Sequence, residues 1–560
     1  MNDIRRTILW VIFGFSMVLL WDQWQIHNGN KPTFFPQAPV KTDARAPATP
    51  NQATEGGVPA PATTAATAHS GGVPNTPTAP AARPRERIDV RTDVLHLVID
   101  SEGASIVRAD LLKFKNPEHA DQPMRLLDES KERVYLAQSG LISSEAGAPA
   151  PTHKTPMRLV SKATELSDGQ DKLELVFESD VVGGLQLVKR YTLQRGQYLI
   201  QTQFDIVNKS SAPINPQVYL QLVRDGNKPV GESSFYSTFT GPAIYTGAKK
   251  YQKVEFSDIE KGKAEFEKQS PDGYIAMVQH YFTSVWLLGD QTQREIYARK
   301  IDTNLYAVGM IAPLGAIEPW ASKQTQARFY AGPQQEKQLE AIYPGLELVK
   351  DYGWLTILAK PLYWLLDELN KMLNNWGWSI VALVVLIKIA FYWLNAQAYR
   401  SMAKMKAINP RVMEMRERLK DNPQQMQMEM MKIYREEKVN PMGGCLPIAV
   451  QIPVFIALYW VLLSTVEMRD APWIGWVKDL ASPDPYFILP ILMTASTMLQ
   501  TWLNPTPPDP MQAKLMWIMP LAFSVMFFFF PSGLVLYWLT NNLLSIAQQW
   551  MINKKLGVLK

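Results

Sequence analysis

Lys388 stands ten residues into a mostly apolar run, Trp378 to Ala398. A lysine at the centre of a membrane helix costs about 2.5 to 3.5 kcal/mol on insertion scales, so its ammonium must face something polar. Ten residues of helix, at about 1.5 Å each, are farther than its stem comfortably reaches toward a headgroup layer. Other polar groups recur within later apolar runs: Gln451, then Thr494, Ser496 and Thr497, then Ser524, then Thr540, Asn541 and Asn542. Each alone is ordinary interhelical glue; together with Lys388 they can line a wet cavity. No acidic residue lies deep in any of these runs. An uncompensated positive charge in such a cavity attracts acidic groups, whereas a proton relay or cation path would want Asp or Glu at depth.

The remaining chemistry is sparse. No nucleophile and base pair, glycine-rich phosphate loop or metal-spaced cluster occurs. The single cysteine, Cys445, excludes an intramolecular disulfide, and six scattered histidines do not make a metal site. His96, His119, His153 and His280 are candidates for an acid and base in a sugar-processing cleft, without a visible pairing. A net charge of +5 over 560 residues is too dilute for a DNA-binding face.

The 17 Trp, 24 Met and 41 Pro are unevenly spread, so the mean hydropathy of -0.13 averages unlike regions. Ile8 to Trp21 follows Arg5 and Arg6 as a signal anchor does, and Asp22, Gln23, Trp24 and Gln25 follow it in place of a small-residue cleavage pattern. The spacing therefore predicts an uncleaved anchor over residues 1–27. Residues 28–87 hold eleven prolines between Pro32 and Pro84 and too little apolar surface to offset ordering entropy, so they read as a disordered tether. Residues 88–340 show period-two alternation, as in Leu173 to Phe177, Leu185 to Tyr191 and Tyr198 to Val207, which predicts a large antiparallel sandwich.

From 345 onward helical spacing takes over. Residues 345–374 suit an amphipathic helix in a membrane interface, with Lys360, Asp367, Glu368 and Lys371 among its apolar positions. Residues 375–560 contain five candidate spans: Trp378 to Ala398, Met442 to Val466, Tyr486 to Leu503, Ala513 to Phe530 and Leu534 to Ile552. Each is close to the roughly 20 residues that cross a bilayer. Between the first two, residues 399–440 read as a helical hairpin broken at Asp421-Asn422-Pro423, with interleaved methionines that can pack on each other or form a deformable docking surface. The segment Tyr399 to Pro441 carries ten Lys or Arg against six acidic residues, which marks it as cytoplasmic, while Glu467 to Pro485 has only Arg469 and Lys478. Six spans with both termini inside then export the β domain.

Three motifs go further. Asn440-Pro441-Met442-Gly443-Gly444-Cys445-Leu446-Pro447, Ser401-Met402-Ala403-Lys404-Met405, and Phe530-Pro531-Ser532-Gly533-Leu534-Val535-Leu536-Tyr537-Trp538 resemble the YidC insertases of Gram-negative bacteria, relatives of the mitochondrial and chloroplast Oxa and Alb proteins. The resemblance covers the whole chain. It implies a polytopic α-helical inner-membrane protein of six transmembrane helices, with a large all-β periplasmic domain, a β-supersandwich similar to sugar mutarotases. It also implies a hydrophilic groove open to cytoplasm and lipid with one central positive residue, and no catalysis or cofactor. Lys388 falls at that position, where arginine is usual and offers a bidentate fork that lysine lacks. Gln451 and Trp538 match other groove positions, and Thr540 and Asn541 join them. The implied partners are nascent inner-membrane proteins, membrane lipids, the Sec translocon, the ribosome and the signal recognition particle receptor, with Met402, Lys404, Met405, Arg416 and Met430 of the hairpin as contacts. The near absence of a long basic tail weakens the ribosome. The competing class, a solute transporter or channel with an exported sensor, requires inverted repeats and intramembrane carboxylates, and neither is found.

Overall fold

The computed structural model describes residues 85–145, 148–229, 238–420, 422–437, 446–504 and 510–555. The anchor at Ile8 to Trp21, nearly all of the tether, and Asn440 to Cys445 lie outside these residues. The chain divides into two compact units, 85–357 with 460–469, and 358–459 with 470–555.

The β unit consists of two nine-stranded sheets. One runs from edge strand Arg87–Arg91 through Leu95–Asp100, Ser105–Lys115, Pro123–Glu129, Val134–Ser143, Pro216–Asp225, Leu305–Pro313 and Arg294–Asp302 to Gln269–Ser270. The other is centred on Ser322–Pro333, flanked by Phe282–Leu288 and Leu199–Asn208. All strand pairs are antiparallel, with registers such as Leu187↔Ile206 and Val218↔Ala312. Leu185–Gln194 alternates fully buried with half-buried positions along its length, as a strand with one face on a core must. The sheets are tied across the core. The Tyr135 hydroxyl meets Ser284 Oγ at 2.6 Å and donates to the Met277 carbonyl at 3.1 Å, and Trp286 Nε1 donates to the Gln221 carbonyl at 3.3 Å. Two short helices, α1 (Phe256–Glu260) and α2 (Glu336–Ile342), are the departures from the all-β expectation.

The second unit is helical: α3 (Thr356–Leu373), α4 (Trp376–Ala390), α5 (Tyr392–Arg418), α6 (Pro423–Glu436), α7 (Leu446–Ser464), α8 (Ile488–Leu503), α9 (Pro510–Ser524) and α10 (Ser532–Lys555). Asn374 adopts a left-handed φ of 49° after α3, and Asn375 caps α4 by accepting a hydrogen bond from the Trp378 amide at 3.1 Å. Asn422 does the same for α6, with Pro423 at the first helical position, so the hairpin break falls where the sequence puts it.

The candidate span Trp378 to Ala398 differs from its reading as one helix. It is split at Phe391 into α4 and α5, which meet at a 70° bend, and α5 continues as the first arm of the hairpin. Among the described residues no single helix is both long and apolar enough to cross a membrane, while α4 and α5 meet that requirement together. Pro520 lies inside α9, whose end loosens into a 3₁₀ turn over Val525–Phe529, and α10 carries polar residues along its length.

Candidate functional site

The split moves Lys388. Instead of the middle of a long span, it occupies the last turn of α4, just before the bend. Its Nζ donates to Ser545 Oγ of α10 at 2.7 Å, and the Ser545 hydroxyl in turn donates to the Asn541 carbonyl at 2.7 Å. The lysine side chain is half-buried. An ammonium has three donors, and Ser545 takes one.

The polar positions flank this contact in two groups. Gln451 Nε2 donates to Asn395 Oδ1 at 3.0 Å, so the glutamine of α7 is held by α5 rather than by Lys388. Asn395 is buried, and its Nδ2 has no partner among the described residues. On α10, Gln548 Nε2 donates to the Tyr392 carbonyl at 3.2 Å and Gln549 Nε2 to Asn504 Oδ1 at 3.0 Å. Asn541, Ser545, Gln548 and Gln549 follow the i, i+4, i+7, i+8 spacing of one helix face. That stripe was available in the sequence as a signal for Ser545 and both glutamines. Asn395, seven residues after Lys388, is two turns along and would share its face on a continuous helix; the bend breaks that relation.

Thr540 is half-buried near the stripe, with no bond to Lys388. Trp538 lies in an aromatic cluster: its ring stacks on Phe455 at 5.2 Å and 16°, with Phe527 at 4.5 Å and Phe530 at 5.8 Å. Packing between α7, the Val525–Phe529 turn and α10 accounts for it. Thr494, Ser496, Thr497 and Ser524 donate to carbonyls three or four residues earlier in their own helices. Asn542 Nδ2 then donates to Ser496 Oγ and Thr497 Oγ1 at 3.3 and 3.1 Å, clamping α8 to α10. These four hydroxyls and Asn542 are glue.

The outer surfaces of the same helices are apolar. Ile389, Trp393, Ile491, Ile518, Leu521 and Phe523 are each more than half exposed. Monomeric soluble proteins rarely expose contiguous apolar surface on this scale, and a hydrocarbon solvent removes the conflict.

In the hairpin, Val412, Met415 and Ile433 form a small core against which Met426, Met430 and Tyr434 pack. Met430 is half-buried and packs against the hairpin's own core. Met402, Met405 and Arg416 are half-buried and Lys404 is exposed. The methionines that point outward are Met413, Met428 and Met431, the last two lining a groove of about 660 Å³ with Gln427, Lys432 and Arg435.

Residues 87–365 match the family described as the YidC periplasmic domain and residues 368–558 that of the 60Kd inner membrane protein. The membrane protein insertase YidC of Ralstonia nicotianae is 55% identical, with 100% of this chain and 99% of that protein covered. Its counterpart from Cupriavidus metallidurans is 54% identical, covering 99% and 98%. An active YidC insertase crystal structure with its first transmembrane domain resolved overlaps at TM-score 0.38 and 19% identity over 83% of this chain and 92% of that one, too loosely to carry an argument.

Proposed function

The chain belongs to the YidC family of membrane protein insertases, bacterial inner-membrane proteins with a periplasmic domain, and from that membership we propose how it inserts and helps fold its substrates. A short polar segment of a nascent inner-membrane protein enters a hydrophilic groove open to cytoplasm and lipid. Lys388 attracts its acidic groups, and burial of the adjoining substrate helix in lipid drives release. About 25 cal/mol per Å² of buried apolar surface is ample to offset passage of a short polar tail, so no nucleotide need be consumed.

One observation supports this most. Lys388 is half-buried, faces the polar stripe of α10 and among the described residues gives one donor to Ser545, which leaves two for an incoming carboxylate. Asn395 and Gln451 supply amides for the substrate's own polar groups. The wider setting of the proposal is six transmembrane helices, with the bent α4 and α5 as one span and an anchor at residues 1–27. Both termini are cytoplasmic and the β domain periplasmic, with the Sec translocon, the ribosome and the signal recognition particle receptor as partners that deliver or receive chains. Purified protein in liposomes should insert a small single-span substrate without ATP. Failure of that substrate to acquire protease-protected segments would refute the reading.

A further inference from the structure

A cavity of about 360 Å³ opens on the β unit, on the face of the Arg87–Arg91 sheet turned away from the second sheet. Tyr135 and Ser139 of strand Val134–Ser143 point into the sandwich, toward Ser284 and Lys189, so Val134, Leu136 and Gln138 point the other way and line the cavity. Its floor is aliphatic: Val107, Leu136 and Val223 are nearly fully buried, and Val134, Ile301 and Leu305 are half-buried around them. Its rim holds Arg85 and Lys154 against Glu102, Glu129 and Asp302, with Arg85 Nη2 on Glu129 at 2.9 and 3.0 Å.

Two donors face this space. The Ser105 hydroxyl, on a residue 4% exposed, finds no hydrogen-bond partner among the described residues. Gln138 accepts from Gln221 Nε2 at 2.7 Å through its Oε1, which leaves its own amide nitrogen as a donor. A buried hydroxyl without a partner is destabilising, and a ligand that brings an acceptor removes that penalty.

We propose that this cavity binds an extended peptide segment, seating one or two aliphatic side chains on the Val107, Leu136 and Val223 floor while a backbone carbonyl accepts from Ser105. The chemistry selects among alternatives. A sugar ring stacks on broad aromatic faces, whereas the floor here is aliphatic and no Trp, Tyr or Phe lines it; the ring in the lining is the small His153 imidazole, whose Nδ1 sits 2.6 Å from the Tyr219 hydroxyl. An acyl chain suits the floor but leaves the Ser105 hydroxyl unsatisfied, and its carboxylate would meet a rim with three acidic groups to two basic ones. A peptide carries an acceptor every residue, no net charge of its own backbone and branched apolar side chains of the right kind.

The test uses the full chain in lipid nanodiscs, with empty nanodiscs as blank, and the fluorescein-labelled peptide acetyl-Gly-Ser-Leu-Val-Ser-Gly-amide. Its partner has Ser in place of Leu and Val. The apolar peptide should bind about tenfold or more tighter than the all-serine one, since burying an aliphatic side chain exceeds that factor. Ser105→Ala should weaken it about three- to tenfold. The same substitution should hold or raise the thermal midpoint of the β unit, because the free protein loses an unpaired buried hydroxyl; a merely structural serine would lower it. Val107→Phe, which fills the floor, should abolish binding. Equal affinity for both peptides, binding unchanged by Ser105→Ala, or tighter capture of laurate than of the peptide would each overturn the proposal, the last in favour of an acyl ligand.

Discussion

Both units enclose cations held by neutral hydrogen-bond acceptors, and they treat them in opposite ways. In the β unit Lys189 is fully buried and gives its three donors to Gly103 O at 2.6 Å, Ser139 O at 2.7 Å and Ser139 Oγ at 2.8 Å. Arg294 is equally enclosed and spreads its donors over the carbonyls of Pro271, Gly273, Leu288, Gly289 and Thr292. In the helical unit Lys388 is half-buried and, among the described residues, bonds one hydroxyl. A cation whose donors are all taken by fixed oxygens holds a fold together and has nothing left for a ligand. One with spare donors beside a polar stripe is what the proposed capture of an anion that arrives and leaves requires.

The sharpest way to break this contrast is to truncate Lys189. Lys189→Ala should destabilise the β unit by about 3 kcal/mol, from the cavity and the oxygens left without a donor, while insertion stays at the level of the unaltered protein wherever the unit remains folded. Hydrogen exchange on the full chain in micelles, read on peptides of the β unit, measures it; lost insertion with an intact β unit would erase the distinction.

The same lysine gives a pH signature. Burial pushes its ammonium down to about 7 from the ordinary 10.5. Between those values the unfolded chain binds the extra proton, so β-unit stability should rise with pH from about 7 toward 10, by at most about 1.4 kcal/mol per unit. Lys189→Met should flatten the slope, measured as the pH dependence of exchange protection. A Lys189→Met slope equal to that of the unaltered protein would place the titration elsewhere.

A smaller effect separates inward from outward methionines in the hairpin. Met430→Ser should loosen the Val412, Met415 and Ile433 core by about 1 to 2 kcal/mol, seen as faster proteolysis between α5 and α6. Met428→Ser with Met431→Ser should leave proteolysis unchanged and lower substrate crosslinking a few-fold. The reverse pattern would make the outward groove incidental.

The fold was legible where one physical rule dominates. Strands such as Leu185–Gln194 alternate because one face meets the core, and the hairpin breaks at Asn422 and Pro423 because a cap and a missing amide both act there. The candidate site was legible in part. Lys388 stood out by its desolvation cost, and the stripe on α10 is periodic. Phe391 carried no breaker signal, being neither Gly nor Pro, so the 70° bend, the terminal position of Lys388 and the role of Asn395 as the partner of Gln451 were not readable. Trp538 has the composition of a groove wall, and only the stacking on Phe455 tells a packing role from a lining one.

The smallest effect expected is that of removing the β unit. With Lys388, Asn395, Gln451 and the α10 stripe all in the helical unit, deleting residues 87–333 should change insertion by less than about twofold, the scatter expected of distant independent sites. Here the deletion ends after Ser322–Pro333, because a cut before that strand would leave it without its neighbours Phe282–Leu288 and Leu199–Asn208. Abolished insertion by a membrane-integrated deletion would make the β unit part of the mechanism.

Insertion of paired substrates by the Lys388 series tests the central claim most directly, one substrate with an acidic translocated tail and one with a neutral tail of equal length. For the acidic tail, Lys388→Arg should remain active and Lys388→Ala should lose about 10- to 100-fold, the range of a hydrogen bond to a charged group. Lys388→Glu should be worst, since a like charge about 4 Å away at an effective dielectric near 20 costs about 4 kcal/mol. The deficit should grow with the number of carboxylates and nearly vanish for the neutral tail. If the Ala and Glu variants insert acidic and neutral tails equally well, Lys388 is not the attractor, and the groove works by hydration of its amides and hydroxyls alone.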